Sequence, residues 1–150
     1  MKSLIAGLLA LGLSSGAAVA ESWEAVAVSD YAVMAVDWTT LRINGTRRRV
    51  TVAAVKSRPE ADSPFDYAAS NIDLDCTSQR YLTIGSTFFY IDGSVASDPY
   101  RGDGQWTAIE QASLMADVHT TVCGSAASRT GFFDDLNDFA VNVRLVVASE

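Results

Sequence analysis

The sequence predicts an α+β fold: an antiparallel β-sheet of five or six strands, with a helix packed on one face and tied to the sheet by one disulfide. Three observations predict it. Short runs of β-forming residues alternate with turn dipeptides up to about residue 93. A stripe of apolar residues at helical spacing follows and stops at Cys123-Gly124. The two cysteines, Cys76 and Cys123, belong to a chain that opens with an export pattern.

That pattern is Lys2, the apolar run Leu4 to Leu13, and small residues ending Ala18-Val19-Ala20 before Glu21. The apolar run is about ten residues, which at ~1.5 Å rise spans half of a ~30 Å hydrocarbon core, so a cleaved signal peptide is expected and not a membrane anchor. Position 21 is Glu where a lipid-anchored bacterial protein needs cysteine, so the product is expected to be periplasmic or secreted, with no membrane insertion after signal removal. The expected organisation is a signal peptide at 1–20, a sheet-plus-helix unit at 21–131 and a C-terminal helical segment at 132–150.

Both cysteines travel to an oxidising compartment, so a Cys76–Cys123 disulfide is expected, and closing so long a loop stabilises by about 4 kcal/mol in the chain-entropy model. Two free thiols, or a metal pair with His119, are the competing readings; structural zinc usually needs three or four protein ligands.

The strands follow in order. Trp23 to Val28 and Tyr31 to Asp37 are two β runs separated by Ser29-Asp30, which reads as a hairpin. Asn44-Gly45 predicts a tight type I′ turn into a strand over Arg48 to Lys56. The stretch Ser57 to Pro64 holds two of the three prolines and reads as a loop. Phe65 to Cys76 and Gln79 to Ile91 are two longer strands around Thr77-Ser78. In the first of these the period of two puts Ile72, Leu74 and Cys76 on one face and Asn71, Asp73 and Asp75 on the other, so Cys76 points inward.

Ala96 to Gly104 reads as a loop. Thr107-Ala-Ile-Glu110 fits a capping box for a helix carrying Leu114, Val118 and Val122, with Gly124 as its stop. After a flexible linker, Phe132, Leu136, Phe139, Val143 and Val146 recur at helical spacing behind Asp134 and Asp135, which suit a helix N-terminus. Alternation from Phe139 to Val147 also fits a strand.

Chemistry is sparse. The chain has no nucleophile elbow, phosphate-binding glycine loop or zinc-protease pair, so no catalytic residue, cofactor or metal site is assigned. His119 reads as a structural or exposed residue, Asn71/Asp73/Asp75 as a solvated strand face, and Asp134/Asp135/Asp138 as a dipole-compensating first turn, ahead of catalytic or calcium roles. A formal net charge of −7, one more negative without Lys2, argues against nucleic acid. The binding candidates are the basic cluster Arg47-Arg48-Arg49, with Arg47 and Arg49 side by side on one face, and Tyr100, Arg101 and Trp106 around the Asp103-Gly104 loop. The competing reading of the arginines is protection of a sheet edge.

The order of these features resembles the surface-adhesin protein E family over roughly residues 22 to 124. The likeness rests on a tryptophan-led first strand, Tyr31 to Asp37, the Asn-Gly hairpin, Asp75-Cys76, Tyr90-x-Asp92-Gly93, Trp106-Thr-Ala-Ile109 and Val122-Cys123. The resemblance implies the same sheet, helix and disulfide. It also implies non-catalytic binding in the bacterial envelope to a protein partner, a host extracellular-matrix or plasma protein. The alternative is a periplasmic accessory or inhibitor-type module docking on another envelope protein.

Overall fold

Five long strands form an antiparallel meander: β1 (Trp23–Val28), β2 (Ala32–Asn44), β3 (Arg47–Lys56), β4 (Tyr67–Asp75) and β5 (Arg80–Phe89). Two short strands, β6 (Tyr100–Arg101) and β7 (Thr107–Ala108), pair with β5 at Gly85–Ser86 and at Arg80–Tyr81. Two helices follow, α1 (Leu114–Gly124) and α2 (Leu136–Ala148). The structure is a computed structural model that describes residues 20–148 except 59, 61 and 125–128. The expected signal peptide lies outside the described residues apart from Ala20.

Strand alternation divides the sheet into two faces, and each buries its own core. Met34, Val36, Trp38, Val50, Val52, Ile72 and Leu74 share one face, against which Val118 and Val122 of α1 pack. Val33, Ala35, Ala53, Val55 and Tyr67 occupy the other, under Leu136, Phe139 and Ala140 of α2. The expectation of a helix on one face holds for α1, and α2 adds a second helix on the opposite face. The segment after Phe133 is a helix and not the alternative strand. Phe132 and Val146 leave the expected stripe, at 88% and 62% exposed. The helix starts only at Leu136, where Asp135 accepts a hydrogen bond from the Asp138 amide (2.9 Å).

Three local expectations are corrected. The β2–β3 turn is Gly45-Thr46: Gly45 takes φ +59° while Thr46 stays out of the left-handed region, the pattern of a type II′ turn and not type I′. The capping box at Thr107 does not form, because Thr107 and Ala108 are drawn into β7 and the Ile109 amide donates to the Gln79 carbonyl (3.0 Å). Ser113 caps α1 instead, its Oγ accepting from the Ala116 amide (3.2 Å). The loop expected at 96–104 contains β6. Gly102 lets that chain lie close to β5, since a Cβ there would sit 1.8 Å from the Thr83 carbonyl oxygen.

Cys76 and Cys123 are disulfide-bonded with their Cα atoms 5.5 Å apart, which fastens the end of β4 to the last turn of α1. The Cys76 amide also donates to the Thr46 carbonyl (3.0 Å), so the bridge sits beside the β2–β3 turn.

Candidate functional site: an arginine and tryptophan face

Helix α2 covers only one half of its sheet face. Beyond Ala53 and Ala69 the same face continues with Thr51, Arg49 and Arg47 on β3 and with Asn71, Asp73 and Asp75 on β4. β2 adds Arg42 and Asn44, because register pairs Arg42 with Arg49 and Asn44 with Arg47. Arg42, Asn44, Arg47, Arg49 and Asp73 line a shallow depression of about 310 Å³.

The arginines differ in their engagement. Arg49 pairs with Asp73 through Nε to Oδ1 (2.7 Å) and Nη2 to Oδ2 (2.8 Å). That hydrogen bond, reinforced by the carboxylate charge, raises the Arg49 pKa further. Arg42 donates to the Thr39 and Leu41 carbonyls. Arg47 lies over the Trp106 ring, its guanidinium carbon 5.2 Å from the centroid, a cation–π arrangement. Trp106 is held in turn by Arg80, whose Nη2 donates to the Trp106 carbonyl (2.9 Å). Arg42 and Arg47 line the depression as exposed residues, and Arg47 rests on the half-buried indole.

The expected residues therefore divide. Arg47, Arg49 and Trp106 come together. Arg48 points to the other face, as alternation predicts, and its Nη1 is spent on the Gly45 and Arg47 carbonyls (2.8 and 3.0 Å). Tyr100 lines a neighbouring depression with Thr51, Asn71 and Pro99, one alternation along from Arg49 and Asp73. Arg101 is exposed in β6 and lines neither depression. Sequence reasoning missed Arg42, Arg80 and Asp73 as neighbours. Part of the signal for Arg42 was present: counting back from the expected Asn44-Gly45 turn sets Arg42 opposite Arg47, and the observed Gly45-Thr46 turn moves its partner to Arg49. Arg80 reaches Trp106 only through the long-range β5–β7 pairing.

The acidic strand face does not present a free carboxylate cluster. Asp73 is neutralised by Arg49, and Asp75 accepts hydrogen bonds from the Thr77 and Ser78 amides (3.0 and 3.2 Å), which lower its pKa. Buried Asp37 is structural. Its Oδ1 accepts from the Ser22 and Thr39 amides and the Thr39 hydroxyl, which braces the irregular β2 stretch before Arg42. His119 is buried, with Nε2 3.2 Å from the Asp75 carbonyl oxygen, consistent with a packing role.

A small α+β fold stapled between sheet and helix by a disulfide fits a protein exported to an oxidising compartment. The chain matches the model of the surface-adhesin protein E family over residues 23–124, from β1 to the end of α1, and it belongs to that family. The family is one of exported or surface binding proteins. No curated protein and no solved structure matches the chain. Among the described residues no helix is long and apolar enough to cross a membrane.

Proposed function

We propose that this is a non-catalytic binding protein of the bacterial envelope that engages an acidic protein partner through the half of the sheet face left open by α2. The observation that carries the reading is Arg47, exposed and seated over Trp106 next to Arg42 on a chain of net charge −7. A guanidinium resting on an indole needs little further ordering on contact, and arginine and tryptophan are the residue types that dominate interface energetics. Family membership supports a host extracellular-matrix or plasma protein as the partner class.

The test is capture on the immobilised protein of matrix and plasma proteins in parallel with a periplasmic extract from the source bacterium. A matrix or plasma protein should be retained, with association slowing as salt rises, because exposed charges are screened beyond ~10 Å at 0.1 M. Replacing Arg42 and Arg47 by Ser should slow association and leave the unfolding midpoint unchanged. Retention of an envelope protein alone would favour an accessory or inhibitor role. Equal binding by the double variant at low salt would overturn the assignment of this face.

A further inference from the structure

We propose that reduction of the Cys76–Cys123 bridge converts this corner of the protein into a three-ligand site for a thiolate-preferring divalent cation of the zinc type, with His119 as the third ligand. The two sulfurs and a ring nitrogen of His119 all lie within 4.8 Å of one another. The His119–Cys123 spacing of four residues places both side chains on one face of α1. Cys76 approaches from the end of β4.

The imidazole already carries a hydrogen bond on its outer nitrogen. A carbonyl oxygen only accepts, so Nε2 donates in the 3.2 Å contact with the Asp75 carbonyl, and Nδ1 is the nitrogen that would take the metal. Metal-bound histidines typically carry this outer contact, which sets the tautomer and the ring plane.

Contacts other than the S–S bond also hold the three ligand positions. Val118 and Val122, on either side of His119 along α1, are fully buried against the sheet. The Cys76 amide is held by the Thr46 carbonyl and Asp75 by its own turn. Tetrahedral zinc with bonds of ~2.0–2.3 Å sets its ligand atoms roughly 3.3–3.8 Å apart. The sulfurs must part and the imidazole close in, which are side-chain rotations at two half-buried cysteines. Three protein ligands leave a fourth position for water.

The chemistry balances with a dithiol reductant. Two electrons and two protons pass from it to the bridge, the S–S bond breaks, two thiols form, and the reductant closes its own disulfide. Cation binding then releases the two thiol protons.

The test is a cobalt(II) titration of the purified protein after reduction by a phosphine in the absence of oxygen, with circular dichroism recorded alongside. One equivalent should bind with thiolate-to-cobalt charge-transfer bands and the intense visible absorption of a tetrahedral site, and zinc should bleach both. His119→Gln should weaken binding at least about tenfold, as loss of one of three ligands. His119→Ala should do the same if Gln perturbs packing. The unreduced protein should give no charge-transfer band. The proposal is overturned if the reduced protein takes up no tetrahedral cobalt, if both His119 variants bind as tightly as the parent, or if the reduced chain unfolds and neither metal restores its structure.

Discussion

Arg49 and Asp73 face each other across β3 and β4 in strict register and meet in a two-pronged ion pair, Nε to Oδ1 at 2.7 Å and Nη2 to Oδ2 at 2.8 Å. The Asp73 side chain is 14% exposed and that of Arg49 55%. A pair open on one side gains modestly from Coulomb attraction because water and salt screen it. Asp73→Ala should therefore cost about 0.5 to 1 kcal/mol in urea unfolding, the range of exposed and cross-strand pairs. The same change frees the Arg49 guanidinium and should speed capture of an acidic partner. A slower association would mean that the pair itself is the recognised shape.

Leu74 is completely buried while its neighbours Asp73 and Asp75 lie on the opposite face. Leu74→Ala leaves a cavity between β4 and α1 and should cost about 2 to 5 kcal/mol. Chemical denaturation of Leu74→Ala beside Asp73→Ala checks the order, and a smaller loss for the leucine would reverse the face assignment.

Removing the staple should cost a comparable amount. Cys76→Ala with Cys123→Ala should lose about 2 to 5 kcal/mol, typical of a native bridge in a small exported domain. Mass measurement of the untreated protein should show it two hydrogens lighter than after reduction. Two thiols that alkylate in the untreated, folded protein would contradict the bridge.

The strands, the inward turn of Cys76 and the stripe of α1 are legible in the sequence because each is set by alternation or by a helical repeat within one segment. What is not legible depends on distant pairing. Thr107 carries a good cap pattern, yet the free edge of β5 at Arg80 and Tyr81 recruits it as strand, and Ser113 takes over the cap. The stripe from Phe132 to Val146 reads as continuous, but backbone bonds from Phe132 and Phe133 to the Trp23 carbonyl hold that stretch extended against β1 before α2 begins. For the binding face, composition points to the arginines and to Trp106 separately. Their contact needs β7 to bring residue 106 back across β5, which no local pattern encodes.

Two carboxylates carry a pH signature. Asp75 is held below the usual aspartate range by the Thr77 and then the Ser78 amides, and Asp92 by the Ser94 hydroxyl and amide. Both have folded-state pKa values below the unfolded value of about 3.9. Their contribution to stability is therefore complete above that value and is lost as pH falls through the lower folded-state values. Carboxyl-carbon NMR titration should give both midpoints below an ordinary aspartate. Midpoints at or above it would show that these two turns open in solution.

Helix α2 is anchored at its centre by Phe139, which is 2% exposed, stands edge-on to Phe133 at 5.4 Å, and lies in the core with Val55 and Tyr67. Asn137, two residues earlier, donates to the Tyr67 hydroxyl (3.1 Å) and the Ile91 carbonyl (2.9 Å), and Tyr67 stacks on Phe89 at 5.0 Å. Arg144 reaches Asp66 at 2.6 Å from the far end of the helix. A helix fastened at three points along its length transmits the loss of its central anchor to the sheet. Phe139→Ala should cost about 3 to 5 kcal/mol, whereas Phe132→Ala, at 88% exposed, should stay within about 0.5 kcal/mol. The family match ends at residue 124, so α2 lies outside the matched segment, yet Ala53, Val55 and Tyr67 are buried beneath it. Urea unfolding of the two variants side by side checks the difference. If Phe139→Ala proves as mild as Phe132→Ala, α2 does not pack on the sheet in solution, and the open arginine face extends across that whole side of the sheet.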